Sequence, residues 1–170
     1  YEQGVIRPPS EASSLLVRVT RNCPWNQCVF CPAYKGTTFS RRSVEEVKKD
    51  IDSMAEEYAG YGYVKSAFLQ DADSLVMKTE DILAILQYMK EKFPTIDRIT
   101  SYARASTLKR KSVEDLKRLK EAGLTRIHTG MESGSAAVLK MIKKGITPDD
   151  ILKGGRNVVE AGISLSKYIM

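Results

Sequence analysis

Apolar residues along this chain switch repeatedly between two periods. Ser14-Leu-Leu-Val-Arg-Val-Thr20 is a short aliphatic run that reads as a buried strand. Val44, Val47, Ile51, Met54 and Tyr58 then recur at helical spacing behind Ser43-Val-Glu-Glu46, a capping box. A second strand follows at Lys65–Gln70. Ile82, Leu83, Ile85, Leu86 and Met89 mark a helix from about Glu80 to Lys92, closed by Pro94. A third strand is predicted near Arg98–Ser101. Ser112-Val-Glu-Asp115 opens another helix, and Gly123 stops it. The pattern then predicts a strand over Thr125–Met131 and a short helix over Ala136–Lys143 that ends at Gly145. Thr147-Pro-Asp-Asp150 opens a final helix, with Gly154-Gly155 weakening its interior. The last apolar strand is Ile163–Met170.

Strands alternating with helices of this length imply right-handed βαβ units and a parallel sheet, hence an α/β fold. No linker or low-complexity stretch divides the 170 residues, so they read as one domain with an N-terminal extension over residues 1–13. Five strands cannot close a standard barrel. A final apolar strand with no helix behind it is an exposed edge. The expectation is therefore a barrel cut after its fifth strand, its C-terminal part missing and the natural chain continuing beyond Met170.

Composition narrows the setting. With 42% hydrophobic and 28% charged residues, the chain has the makeup of a soluble globular domain. No apolar run approaches the roughly 20 residues of a membrane span, and the N-terminus lacks a signal peptide's apolar core. A cytoplasmic, reducing location with no membrane partner is expected. The net charge of +6 permits nucleic-acid binding without showing it. The densest basic stretches, Lys109-Arg110-Lys111 and Lys117-Arg118 with Lys120, have no aromatics interleaved as an RNA-stacking surface requires.

The chemistry concentrates in Cys23-Pro-Trp-Asn-Gln-Cys28-Val-Phe-Cys31, which holds all 3 cysteines of the chain. Thiolates are soft ligands for iron–sulfur clusters, zinc and copper(I). Three on one loop can hold three irons of a [4Fe–4S] cluster and leave the fourth iron open. A plant-type [2Fe–2S] electron-transfer module needs a fourth, distant cysteine, which is absent. A structural zinc site wants four ligands, and the single histidine, His128, falls inside a predicted strand. An odd cysteine count in a long, lysine-rich chain does not suit a secreted disulfide scaffold. No phosphate loop and no Ser-His-Asp constellation is present.

The cysteine loop follows directly on the first strand and contains Phe30 in a C-x-Φ-C pattern. Together with Arg7-Pro-Pro-Ser-Glu-Ala12, Phe39-Ser-Arg-Arg42 and Gly130-Met-Glu-Ser-Gly134, it resembles the radical S-adenosylmethionine (radical SAM) enzymes. The similarity is to a branch with elongator-catalytic-subunit-like and cobalamin-associated relatives. The usual signature is C-x3-C-x-Φ-C, and this chain carries one extra residue in the first gap. The resemblance covers nearly the whole chain and implies a partial (β/α)6-type open TIM barrel. It also implies a [4Fe–4S] cluster on Cys23, Cys28 and Cys31, with S-adenosylmethionine bound at the open iron. The implied activity is reductive cleavage to a 5′-deoxyadenosyl radical that abstracts hydrogen from a substrate. The electron would come from a donor such as flavodoxin or ferredoxin. The substrate is left open among RNA, a small molecule and a peptide.

Ligands of parallel α/β barrels sit at the C-terminal strand ends, and polar residues recur there. By the resemblance, the second strand's end should receive the amine of S-adenosylmethionine. Gln70, Asp71 and Ala72 occupy those positions, with Asp73 just beyond, so the expected acid is displaced. Ser101 and Arg104 are candidates for the carboxylate, with Lys167 a further one. Glu132 matches the ribose position, where a carboxylate can accept both hydroxyls of a diol. Phe30 and Tyr34 flank the adenine side. Arg41 and Arg42 read as surface residues, with the ligand's carboxylate or the substrate as the alternative, and Ser133 and Ser135 as caps of the next helix.

Overall fold

The computed structural model describes residues 1–59 and 64–170. Its central sheet contains β1 (Leu15–Arg18), β4 (Ser66–Gln70), β5 (Arg98–Tyr102), β6 (Leu124–Glu132) and β7 (Ser164–Ile169). They lie side by side in chain order, and every neighbouring pair is parallel. This is the one-directional winding of an open barrel, as the alternating periods predict.

The helices are α1 (Val44–Tyr58), α2 (Thr79–Lys92), α3 (Ala105–Arg110), α4 (Val113–Glu121), α5 (Ala136–Met141) and α6 (Pro148–Glu160). Both capping boxes read from the sequence form. Ser43 and Glu46 close the start of α1, and Thr147 and Asp150 close that of α6. Ser112 and Ser135 cap α4 and α5. Among the elements the periodicity does not predict are three short ones. A small antiparallel pair, β2 (Thr20–Arg21) with β3 (Ser40–Arg41), ties the two ends of the cysteine loop together. α3 lacks a side-chain cap and is only 6 residues long, too short for its periodicity to register.

Strand alternation sorts the core into two sides. Val17, Ala67, Leu69, Ile99 and Ile127 face the helices and pack with Ile51, Ile82, Leu86, Leu116 and Val158. The opposite face, the barrel interior, carries rings. Phe68 lies edge-on to Tyr102 at 5.0 Å, and His128 stacks on Tyr168 at 6.1 Å. Gly154 explains part of the glycine pair inside α6. A Cβ there would lie 2.7 Å from the Ala105 carbonyl oxygen, so the glycine lets α6 close onto α3.

The N-terminal segment enters this interior. Gly4 N–H donates to Gln70 Oε1 at 2.8 Å, and Gln70 Nε2 donates to the Ile6 carbonyl at 3.1 Å. Further along, fully buried Glu11 accepts from Ser14 Oγ at 2.6 Å and faces Arg98 and His128.

Candidate active site

The loop between β1 and α1 contains residues that bend backwards and others that hold it there. Asn22 and Asn26 adopt left-handed φ of 67° and 50°, a conformation asparagine tolerates better than most residues. Asn22 Nδ2 donates to the Thr38 carbonyl at 2.6 Å, and Asn26 Nδ2 donates to the Tyr34 carbonyl. Lys35 Nζ returns a bond to the Asn26 carbonyl at 3.0 Å.

Beneath the loop sits Asp71, with no exposed surface. Its Oδ2 accepts from Arg18 Nε and Nη2 and from the Asn22 N–H at 3.1, 2.9 and 3.0 Å. Its Oδ1 accepts from the Tyr34 hydroxyl at 2.6 Å. Burial and this carboxylate push the Tyr34 hydroxyl well above the usual phenol range.

The far side of the loop is fastened to the turn after α5. Trp25 Nε1 donates to the Lys143 carbonyl at 2.7 Å, and Val29 N–H donates to the Ile142 carbonyl at 3.1 Å. The indole lies flat against Gly145, where any Cβ would fall 2.2 Å from the ring. Arg104 lies over the same indole at 5.2 Å and donates to the carbonyls of Lys144 and Gly145.

These contacts open the three cysteines onto one cavity of about 250 Å³ at the C-terminal edge of the sheet. Cys23, Cys28, Cys31, Phe30, Tyr34, Arg104, Glu132 and Lys144 line it, and Tyr102, His128 and Tyr168 lie on its barrel side. All three thiols are free. Burial pushes the Cys28 thiol up, and Lys144 opposes that shift. Among the described residues, no three His, Cys, Asp or Glu side chains gather around a single ion position. Three soft thiols spread around a cavity wall, with no fourth cysteine in the chain, fit a polynuclear iron–sulfur cluster with one open iron.

Of the residues singled out from sequence, Phe30, Tyr34, Arg104 and Glu132 do reach this cavity with the cysteines. Five other candidates do not line it. Gln70 is committed to the N-terminal segment, and Asp71 is saturated by the loop it supports. Asp73 accepts from the Arg104 N–H and from Thr107 Oγ1, so it holds the start of α3. Burial pushes its carboxyl up to about 6. Ser101 and Lys167 alternate onto the wrong side of their strands. Ser101 Oγ donates to the Tyr102 carbonyl, and Lys167 lies over Gly155 of α6. Arg42 is also not a surface residue. It is buried and bonds Asp50, the Arg18 carbonyl and the Glu46 carbonyl. Ser135 caps α5 as expected, and Ser133 Oγ accepts from the Ser135 N–H.

Sequence reasoning missed Trp25, Lys144, Tyr102 and Tyr168. The two tyrosines were recoverable, since each lies an even number of residues from an inward-facing neighbour on its strand. Nothing in the local sequence points Lys144 at Glu132.

The fold has counterparts in known proteins. The chain belongs to the radical SAM superfamily, which it matches over residues 17–170. Membership of that superfamily makes a [4Fe–4S] cluster and S-adenosylmethionine its cofactors, and residues 17–170 are its radical SAM domain. An uncharacterized methyltransferase of Pyrococcus horikoshii is 30% identical over 158 residues, covering 91% of this chain and 32% of that protein. The 4′-phospho-dehydrooxetanocin synthase of Priestia megaterium is 28% identical over 89% of this chain and 22% of that protein. Among solved structures, the cobalamin-dependent S-adenosylmethionine radical enzyme OxsB superposes with a TM-score of 0.75 at 24% identity. That match covers 92% of this chain and 24% of OxsB. The chain thus spans a third or less of the length of these relatives. Neither the electron-transfer nor the zinc alternative gains support. Among the described residues, no helix is long and apolar enough to cross a membrane.

Proposed function

We propose that Cys23, Cys28 and Cys31 hold three irons of the cluster, leaving the fourth to the amine and carboxylate of S-adenosylmethionine. When bound, the cluster would supply an electron for reductive cleavage of S-adenosylmethionine and so hydrogen-abstraction chemistry toward a substrate. The observation that carries this reading is that the three thiols and Glu132 line one cavity at the strand ends.

The chain's own residues bind, orient and exclude water. Glu132 accepts the ribose hydroxyls. Its backbone is left-handed at φ 60°, strain of about 1 kcal/mol of the kind found at ligand sites. Phe30 packs against the adenine, with Tyr34 holding the loop beneath it. Arg104, a fixed cation, meets the carboxylate. With Gln70, Asp71 and Asp73 engaged elsewhere, backbone carbonyls around Ala72 receive the amine. Tyr102, His128 and Tyr168 exclude water from the barrel side. Burial lowers the pKa of His128, which favours its neutral form. A flavodoxin- or ferredoxin-type donor in a reducing cytoplasm supplies the electron, and the substrate enters from the barrel mouth.

Anaerobic reconstitution with iron and sulfide tests this. The chain should take up a cluster whose reduced electron paramagnetic resonance signal changes on adding S-adenosylmethionine. Cys28→Ala should abolish both. Full iron uptake by that variant, or a signal indifferent to S-adenosylmethionine, would overturn the assignment.

A further inference from the structure

Lys144 has no role in the chemistry described so far, yet it sits at its centre. Its Nζ lies 2.7 Å from Glu132 Oε1, and both side chains are largely buried, at 13% and 10% exposure. Nζ also stands 5.6 Å from the centre of the Phe30 ring. Glu132 Oε2 has no partner among the described residues. The lysine therefore fixes one carboxylate oxygen and leaves the other for a ligand.

The backbone around Lys144 is held just as firmly. Ile142, Lys143, Lys144 and Gly145 each present a carbonyl to a group on the cysteine loop or on Arg104. Lys143 and Gly145 adopt left-handed φ of 51° and 67°, which shapes the turn. Gly130 completes the arrangement. A Cβ there would fall 2.3 Å from Glu132 Oε1 and 2.6 Å from Lys144 Nζ, so any side chain would push the ends of the ion pair aside.

From this geometry we infer that Lys144 is a positioning residue: it aims Glu132 at the ribose diol and, through its turn, couples that aim to the cysteine loop. The inference rests on the proposed binding of S-adenosylmethionine at this cavity. An alternative is that Lys144 merely neutralises a buried acid. That role predicts lost stability on substitution and no specific loss of ligand affinity.

The test is a titration of the reconstituted, reduced chain with S-adenosylmethionine, read by the change in the cluster's resonance signal. Lys144→Met should keep wild-type iron content and raise the apparent Kd about tenfold, the scale of one charge-assisted hydrogen bond. Lys144→Arg should recover most of the affinity. Trp25→Phe keeps an aromatic ring at the position but removes the bond to the Lys143 carbonyl and part of the packing against Gly145. It should weaken binding about threefold, on the scale of a neutral bond, and it serves as the second arm if Lys144→Met does not fold. If wild type responds and both variants bind S-adenosylmethionine as tightly, the positioning role is wrong while the site assignment stands. If wild type itself gives no response, both fall together.

Discussion

Arg18 reaches Asp71 with two nitrogens, Nε at 3.1 Å and Nη2 at 2.9 Å, both on Oδ2. The acid is fully buried, and the same oxygen also takes the Asn22 N–H just before Cys23. A residue positioned to look like a ligand group is instead the anchor of the cysteine loop. Arg18→Ala leaves that carboxylate without its cation, at a cost of about 3 kcal/mol. Urea denaturation of the chain should show this loss, and iron uptake should fall with it. A change below about 1 kcal/mol would mean the pair acts as a surface salt bridge.

Two adjacent glycines in α6 should respond to alanine in opposite directions. At Gly154 the new methyl meets the Ala105 carbonyl oxygen at 2.7 Å and Leu108 Cβ at 3.0 Å, neither of which yields easily. Overpacking of this kind costs about 1–3 kcal/mol. At Gly155 the nearest atom is Lys167 Nζ at 3.2 Å, the end of a flexible side chain. There alanine should gain about 0.5–1 kcal/mol from helix propensity. Thermal unfolding of the two variants should straddle wild type. Equal shifts for both would contradict the packing described.

Gly130→Ala separates site from scaffold. Its methyl displaces only the ends of Glu132 and Lys144, so stability should change by less than about 1 kcal/mol. Affinity for S-adenosylmethionine should nevertheless drop several-fold. Unaltered affinity in a folded variant would show that the ion pair can shift without consequence.

Asp73 carries a pH signature. Its carboxyl titrates near 6 in the folded chain, against an ordinary value of 3.8, because burial outweighs the bonds from Thr107 and Arg104. The folded state therefore binds this proton more tightly than the unfolded state. The group's contribution to stability is complete below the ordinary value and is lost as pH rises through about 6. Asp73→Asn removes that loss and can still accept from the Arg104 N–H. The stability of the variant relative to wild type should rise between about pH 4 and about pH 7. His128 is shifted the other way, by burial, but it titrates in both proteins and cancels in the comparison. A pH-independent difference would contradict the assigned burial.

The strands, their order and the long helices were legible because each has one clear period and, often, a side-chain cap. Ser43 with Glu46 and Thr147 with Asp150 behave as their spacing says. The three cysteines were legible because no other cysteine competes with them. The strand-end acids were not. Asp71 and Asp73 lie where a ligand group belongs, but each is claimed by residues more than 30 positions away in the chain: Arg18 and Tyr34 for Asp71, Arg104 and Thr107 for Asp73. Ser101 and Lys167 failed for a simpler reason, since a single step along a strand reverses the face. Lys144 was invisible because its meaning depends on a turn that packs against Trp25, 118 positions away from Lys143 in the chain.

The bond from Trp25 to Lys143 joins residues 118 positions apart. Each strand pair in the sheet, by contrast, links consecutive βα units. The sheet can therefore grow unit by unit along the chain, while the cysteine loop gains its second wall only after β6 and α5 are in place. A cluster inserted before then would sit on a loop held from one side. On the proposed assignment of the three cysteines, the wall around them is complete only in a chain folded through β6 and α5.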